Sequence, residues 1–239
     1  MIVVLQGRVR STRLPGKGFF TFFGQTIWER MCSIALAITG VEQVIFATGN
    51  LDENRLIEPF VTAQGVRFFA GSEDDLLERF SHAIESTTAE YVVRLTCDNY
   101  LAQPEVVEGL LGAVSTAGAD YGFVEPLSHY AGEVVRRSTL LDAHASGLST
   151  AMAREHVTWD IRRSAAVKKM ALPCDYLGLD HARSVTLDTI DDLIQLKTLE
   201  RTQPLLRPVR CLAALRSATI QGLEDPRERL QSRARNRLA

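Results

Sequence analysis

The sequence predicts an α/β protein with a mostly parallel central sheet flanked by helices. Short apolar runs alternate with longer amphipathic segments through the first half of the chain, and the connections between them are short. Hydrophobic residues make up 46% of the 239 residues, which is enough for a sizeable buried core. Small and charged residues follow several of the predicted strands, as they do at the ligand-binding edge of a parallel sheet.

The first half of the chain supplies predicted strands and helices in alternation. Its apolar runs are rich in β-branched residues and have the length of buried parallel strands. Gly40 and Gly65 follow two of the amphipathic segments, where a glycine commonly ends a helix. The predicted strands are residues 2–5, 41–47, 66–69 and 90–96, and the predicted helices are residues 25–38, 52–64, 73–87 and 105–117.

The second half of the chain has a less regular pattern. It predicts strands at 120–124, 133–136 and 185–187, and helices at 137–145, within 147–163 and at 190–200. We therefore predict a single domain over residues 1–203. The extension at 204–239 contains three prolines and five arginines between 227 and 237. This composition predicts a partly helical or loosely ordered tail, either solvated or used as an arm that binds a partner.

The composition excludes several classes of protein. The net charge of −2 and the charged fraction of 23% give no sign of a nucleic-acid or membrane partner. Four cysteines without a C-x-x-C spacing predict reduced, mostly buried thiols rather than disulfides or a zinc site. No apolar run is long enough to span a bilayer, and the N-terminus lacks a secretory signal pattern. We therefore expect a cytoplasmic protein.

The first predicted strand opens into a small, polar and strongly basic loop. Arg8, Arg10, Arg13 and Lys17 follow Gln6-Gly7 within eleven residues. Arginine offers a planar fork to phosphate oxygens and lysine a mobile point charge, so this loop predicts a polyphosphate site. It matches neither the P-loop nor the dinucleotide fingerprint. A solvated basic loop is the alternative interpretation.

The same loop resembles a family signature. Gln6-x-Arg8-x-x-Ser11-x-Arg13-Leu14-Pro15-Gly16-Lys17 is similar to the signature of cytidylyltransferases that activate acidic sugars, namely the acylneuraminate and KDO enzymes. The resemblance is closest to the spore-coat polysaccharide branch, although Gly7 stands where alanine is usual. It covers about residues 1–200, with further motifs at 71–79, 154–158 and 183–193.

This resemblance implies a fold and an activity. The fold is a Rossmann-like nucleotidyltransferase domain. The activity is transfer of CMP from CTP to an acceptor, with Mg²⁺ as cofactor and release of pyrophosphate. The acceptor would be a sugar acid of surface polysaccharide biosynthesis, and the family expectation for assembly is a homodimer.

Two carboxylates are the candidate metal ligands. Asp98 follows the predicted strand 90–96, and Asp188 follows the predicted strand 185–187. Mg²⁺ prefers oxygen ligands and commonly takes one or two carboxylates together with substrate phosphates. The alternatives are a loop-capping role for Asp98 and, at the start of helix 190–200, a helix-capping role for Asp188 or Thr189.

The resemblance also assigns the remaining site residues. It implies that Arg8, Lys17 and Asp98 are catalytic, and that His156 contacts the acceptor. For His156, a structural role or a dimer contact is the alternative. Ser72 is also the expected N-cap of the helix predicted at 73–87, a role that needs no ligand. The implied nucleotide-binding residues are Leu5, Gln6, Gly7, Arg8, Arg13, Lys17, Ser72, Asp74, Arg79 and Thr96.

Two segments depart from the family pattern and keep other functions open. Cys97-Asp98-Asn99-Tyr100 stands where the branch usually has Gly-Asp-Cys-Pro, so the aspartate remains while its neighbours differ. The Phe-Pro-Arg-Gly-x-Asp element is not evident between residues 120 and 135. A glycosyltransferase that uses a nucleotide sugar, and a degenerate nucleotide-binding regulator, are therefore the alternative functions.

Overall fold

The computed structural model describes residues 1–147, 149–173, 179 and 185–203. The predicted extension at 204–239 lies outside the described residues. The strands are β1 Ile2–Gln6, β2 Thr21–Phe22, β3 Gln25–Thr26, β4 Gln43–Gly49, β5 Arg67–Gly71, β6 Tyr91–Thr96, β7 Tyr121–Val124, β8 Glu133–Arg136 and β9 Lys169–Leu172. The α-helices are α1 Ile27–Leu36, α2 Glu58–Thr62, α3 Leu76–Ile84, α4 Pro104–Ala117, α5 Arg137–Ala145, α6 Ala151–His156, α7 Trp159–Arg163 and α8 Ile190–Thr202.

Seven of these strands form one sheet, in the order β5-β4-β1-β6-β8-β7-β9. The first four run parallel, with β1 between β4 and β6. Strand β8 is antiparallel to both of its neighbours, and β7 pairs with β9 in parallel. The predicted α/β class with a mostly parallel, helix-flanked sheet is therefore confirmed. The carboxyl ends of β4, β1 and β6 meet at one edge, where a ligand would bind.

Alternation along β1 separates the two faces of the sheet. Val3 and Leu5 belong to an apolar cluster that includes buried side chains of α1 and α4. Ile2 and Val4 belong to a second cluster, with buried side chains of α3 and α5. Because successive strand residues point to opposite faces, Gln6 shares the face of Ile2 and Val4.

The predicted helices are present, but two of them are divided. Residues 52–64 form a 3-10 helix at Asp52–Ile57 followed by the short helix α2. Pro59 lies in the first turn of α2, and its missing N–H cannot continue the preceding helix. Residues 147–163 contain both α6 and α7, because Val157 adopts a φ of 49° between them. This positive φ lies outside the range of a right-handed helix and interrupts the helical ladder.

Two details of the predicted elements are wrong. Residues 185–187 are not part of the sheet; in this segment the Leu187 N–H donates to the Asp98 carbonyl at 3.0 Å. The sheet instead includes β9, which was not predicted because its sequence mixes polar and apolar residues. Asp75, not Ser72, caps α3: its carboxylate accepts from Glu78 N–H at 2.9 Å, while the Ser72 hydroxyl accepts from Asp75 N–H.

Cys32 and Cys97 are free and buried, as predicted. Cys174 and Cys211 lie outside the described residues. Within the part of the chain that the structure describes, no helix is long and apolar enough to cross a membrane.

Candidate active site

A cleft of about 690 Å³ lies at the carboxyl ends of β1 and β6. The basic loop after β1 forms one wall, and residues near the start of α3 and on α6 form the opposite wall. The structure brings most of the predicted site residues together here. Those that line the cleft are Gln6, Gly7, Arg8, Arg13, Lys17, Asp74, Arg79, Thr96, Asp98, His156 and Asp188.

Lys17 joins the two candidate metal ligands. Its Nζ lies 2.9 Å from Asp98 Oδ2 and 2.8 Å from Asp188 Oδ1. Arg13 Nη2 lies 2.9 Å from the other oxygen of Asp188. Burial alone would lower the pKa of Lys17, but the two carboxylates outweigh it and raise that pKa. Burial likewise opposes ionisation of Asp98, yet the Lys17 charge holds its pKa below the usual value.

The carboxylate oxygens of Asp98 and Asp188 are suitable ligands for a divalent cation. Two carboxylates from distant parts of the chain converge on one positive charge, and carboxylate oxygens are ligands that Mg²⁺ accepts. Within the described ranges, no group of three or more histidine, cysteine or acidic side chains forms a complete metal site. Any metal here would therefore need further oxygens, which a triphosphate and water provide.

Packing against the protein body fixes the loop that carries Lys17. Gly18 lies so close to Trp28 that an added Cβ would overlap the indole ring. Trp28 is 1% exposed and belongs to the core, so a shift of its ring would disturb core packing. Phe19 packs edge-on against the same ring, with 4.4 Å between ring centroids. Lys17 is therefore held in place by a rigid contact one residue away.

Two further contacts shape the start of the loop. A Cβ on Gly7 would lie 2.7 Å from Phe46 Cζ, so alanine at this position would require the buried Phe46 ring to shift. The buried Asn54 accepts from Val9 N–H at 2.9 Å and donates to the Gly49 carbonyl at 3.2 Å. Asn54 also donates to Glu73 at 3.3 Å, so it ties the basic loop to the opposite wall.

The opposite wall is organised by a buried arginine. Arg79 is 2% exposed and donates to the Ser72 carbonyl at 2.7 Å and to the Glu73 carbonyl at 2.9 Å. Burial and the nearby Arg8 lower its pKa. Arg154 Nε lies 3.7 Å from Asp75 Oδ2, and this ion pair links α6 to the start of α3. His156, at the end of α6, faces the cleft from this side.

Two predicted residues do not line the cleft. The Leu5 side chain is fully buried in the core on one face of the sheet. The Ser72 hydroxyl accepts a hydrogen bond from Asp75 N–H in the turn before α3. Sequence reasoning also missed Trp28, Glu73 and Glu155, which do line it. It missed Arg94 as well, although an arginine inside the apolar run of β6 is itself an indication of a site.

The altered loop after β6 is explained by packing. Cys97, Asn99 and Tyr100 are all buried, and the Tyr100 carbonyl accepts from Arg30 Nε at 2.7 Å. Burial raises the pKa of the Cys97 thiol well above its usual value, so the thiol stays protonated. These substitutions therefore build core around Asp98 and leave its carboxylate in the cleft.

A buried polar network continues from the cleft into the sheet. Arg94 Nε and Nη2 donate to Gln6 Oε1 at 3.2 and 3.0 Å, and Arg94 Nη1 lies 2.5 Å from Glu133 Oε2. The other Glu133 oxygen accepts from Tyr121 at 2.5 Å and from Thr158 at 2.7 Å. Burial alone would raise the pKa of Glu133, but the Arg94 charge and the two hydroxyl donors hold it below its usual value.

Because of Glu133, the free energy of unfolding should fall as the pH is lowered into the acidic range. Its folded-state pKa lies below the ordinary value of 4.5, so its contribution is complete above that pH and is lost as pH falls through the folded-state pKa. Glu133→Gln leaves Arg94 without its carboxylate and is expected to cost about 3 kcal/mol at neutral pH. Below pH 4.5, the free energy of unfolding of the Glu133→Gln variant should also change less with pH than that of the original protein.

Urea unfolding at several pH values between neutral and about pH 3 measures both effects. Glu85→Gln, at an exposed position after α3, is the control and should change the unfolding free energy by less than about 0.5 kcal/mol. Equal acid sensitivity of Glu133→Gln and the original protein would contradict the prediction.

The fold and the site together define a nucleotidyltransferase-type protein: a mainly parallel sheet, a cationic loop at its carboxyl edge, and paired carboxylates facing that loop. Residues 2–207 match the model of the cytidylyltransferase family, and the chain belongs to this family. It is 29% identical over 208 residues to the spore coat polysaccharide biosynthesis protein SpsF of Bacillus subtilis. That match covers 83% of this chain and 85% of SpsF.

Solved structures share the fold. A cytidylyltransferase from Leptospira borgpetersenii superposes with a TM-score of 0.72 and 20% identity, covering 93% of this chain and 98% of that one. The CMP:2-keto-3-deoxy-manno-octonic acid synthetase complexed with CTP gives a TM-score of 0.63 and 18% identity, covering 84% and 98%.

Proposed function

We propose that this protein transfers CMP from CTP to a sugar acid of surface polysaccharide biosynthesis, with release of pyrophosphate. The observation that carries the proposal is the cluster of Lys17, Asp98 and Asp188 at the end of the basic loop. Membership of the cytidylyltransferase family supports CTP as the donor. The similarity to SpsF, and to the fold of a synthetase that binds CTP, supports a sugar acid as the acceptor.

The basic loop would bind the triphosphate. Arg8 is exposed in the cleft, and none of the described residues pairs with its guanidinium. Arg13 and Lys17 would join it in neutralising the phosphates, and the backbone near Gln6 and Gly7 would contact the base. Asp74, Arg79 and Thr96 complete the proposed nucleotide contacts.

Asp98 and Asp188 would hold Mg²⁺ beside the phosphates. Mg²⁺ bound there would neutralise charge on the reacting phosphate and on the departing pyrophosphate. Lys17 lies between the two carboxylates and would exchange them for phosphate oxygens when the nucleotide binds.

The acceptor would approach from the wall formed by α6. Its attacking hydroxyl oxygen would bond to the α-phosphorus of CTP as the bond to pyrophosphate breaks, and the hydroxyl proton would pass to solvent. His156 would contact the acceptor there. The chain's contribution is to place the reactants and to stabilise developing charge.

The proposal also covers the organisation of the protein. Residues 1–203 would form the catalytic domain, followed by the extension at 204–239. We propose a homodimer, as the family resemblance implies, that acts in the cytoplasm, where CTP is available.

Pyrophosphate release tests the proposed activity. CTP, ATP, GTP and UTP are each incubated with Mg²⁺ and a panel of sugar acids that includes 3-deoxy-manno-octulosonate. CTP with one sugar acid should release pyrophosphate well above the other nucleotides. CTP should also stabilise the protein, by about 2.7 kcal/mol at a hundredfold excess over its Kd.

Other results would replace the proposal. Consumption of a nucleotide sugar without pyrophosphate release would identify a glycosyltransferase. Binding of CTP without turnover of any panel member would favour a regulatory relative. No stabilisation by any nucleotide would contradict the nucleotide site itself.

A further inference from the structure

We infer that the Gln6 side chain donates a hydrogen bond to bound substrate, and that Glu133, acting through Arg94, is the positioning residue that holds Gln6 in the donating orientation. This inference rests on the proposed function and adds a specificity-determining contact to it. The inference is drawn from the hydrogen-bond network that runs from the cleft to Glu133, the buried first residue of β8.

Arg94 determines which end of the Gln6 amide faces the cleft. Gln6 Oε1 accepts two hydrogen bonds from Arg94, at 3.2 and 3.0 Å. A guanidinium has donors and no acceptor, so the reversed amide would place its NH₂ group against other donors. The oxygen is therefore committed to Arg94. None of the described residues accepts a hydrogen bond from Gln6 Nε2, and Gln6 lines the cleft.

Glu133 fixes Arg94 from the other side. Glu133 is 2% exposed, and one of its oxygens lies 2.5 Å from Arg94 Nη1. Tyr121 and Thr158 donate to its second oxygen, so both oxygens are occupied. The carboxylate therefore cannot turn away from Arg94 without breaking contacts with β7 and with the segment that joins α6 to α7.

The backbone permits this close contact between β6 and β8. Gly132 precedes Glu133 with a φ of 66°, and an added Cβ would collide with the Arg94 carbonyl. Thr158 lies two residues after His156, so the network also joins Gln6 to the proposed acceptor wall. A substitution at Glu133 would therefore disturb the position of Gln6 on one side of the cleft and the proposed acceptor wall on the other.

The chemistry of the contact follows from its charges. Glu133 compensates the Arg94 charge, so the group offered to the ligand is a neutral amide donor. Its partner is an oxygen or nitrogen acceptor, either on the cytosine ring or on the sugar acid. A site built to form such a bond discriminates strongly against ligands that lack the acceptor.

Two substitutions at Gln6 separate donation from support of Arg94. Gln6→Glu keeps an oxygen for Arg94 but removes both donors, whereas Gln6→Met removes the donors without adding charge. We expect both variants to weaken CTP binding by about tenfold or more, or to raise the KM for the working sugar acid by a similar factor. Gln6→Glu should retain its melting temperature, because Arg94 keeps a partner. Calorimetry with CTP and Mg²⁺, together with pyrophosphate kinetics, provides the measurements.

A double variant tests the role of Glu133. Glu133→Gln alone should weaken substrate binding and lower the melting temperature. Adding Gln6→Glu returns a carboxylate to Arg94, so the melting temperature should recover while binding does not. If the network were merely structural, binding would recover together with the melting temperature.

The outcomes distinguish the ligand and the source of any failure. Loss of CTP affinity in both Gln6 variants identifies the nucleotide as the partner, and an unchanged CTP affinity with a raised acceptor KM identifies the sugar acid. Unchanged values for both ligands in an active protein would overturn this inference alone. Failure of the original protein to bind CTP and to release pyrophosphate would overturn the proposed function, and this inference with it.

Discussion

Asp98→Asn is expected to lower pyrophosphate release from CTP by about 100- to 1,000-fold while the protein remains folded. The amide keeps the shape of the carboxylate but removes the charge that faces Lys17 at 2.9 Å. It is also a poor ligand for Mg²⁺, which prefers charged oxygens. Turnover of the variant should therefore require more Mg²⁺ than turnover of the original protein. Pyrophosphate release at several Mg²⁺ concentrations measures both effects.

Asp191→Asn is the matched control for this prediction. Asp191 is exposed in the first turn of α8, only three residues from Asp188, and does not line the cleft. Its replacement should leave turnover and the Mg²⁺ requirement unchanged. Full activity of Asp98→Asn would exclude Asp98 from the metal site.

Gly18→Val should produce the second large effect, because the new side chain would overlap the buried indole of Trp28. Trp28 is packed in the core, so we expect the loop to move instead and to take Lys17 away from Asp98 and Asp188. Overpacking of this kind costs about 1–3 kcal/mol of stability. A displacement of about 1 Å in a positioned group can cost about 100-fold in turnover. Urea unfolding and pyrophosphate release measure the two effects.

Gly112→Ala is the control for the glycine substitution. Gly112 lies within α4, and a Cβ there meets no atom within 4 Å. Alanine should therefore stabilise the protein, by about 0.5–1 kcal/mol, without affecting turnover. Unchanged turnover of Gly18→Val would show that Lys17 keeps its position without the contact between Gly18 and Trp28.

Local pattern was enough to predict most of the sheet and its helices. The strands at 120–124 and 133–136, and the helices at 137–145 and 190–200, correspond closely to β7, β8, α5 and α8. Prediction was wrong where the pattern was weak. Residues 185–187 lie outside the sheet. Strand β9 was not predicted, because most of its residues are exposed or only partly buried and it therefore lacks a continuous apolar pattern.

The site was predictable to the extent that its residues follow strands or belong to a long motif. The basic loop and Asp98 were recognised in this way. Trp28 lies in the first turn of α1, and nothing in its local sequence distinguishes it from an ordinary core residue. Glu133 looked like the start of a strand, and its contacts with Arg94 and Tyr121 come from the pairing of β8 with both of its neighbours.

The sequence by itself determined the α/β class, the position of the basic loop and the family to which the chain belongs. Each depends on periodicity or on residues close together in the chain. The tertiary structure alone decided that Lys17 meets Asp188, which lies 171 residues away, and that a buried carboxylate sets the orientation of Gln6. Local sequence reports which residues prefer to be buried, but the order of strands in the sheet determines which charges become neighbours.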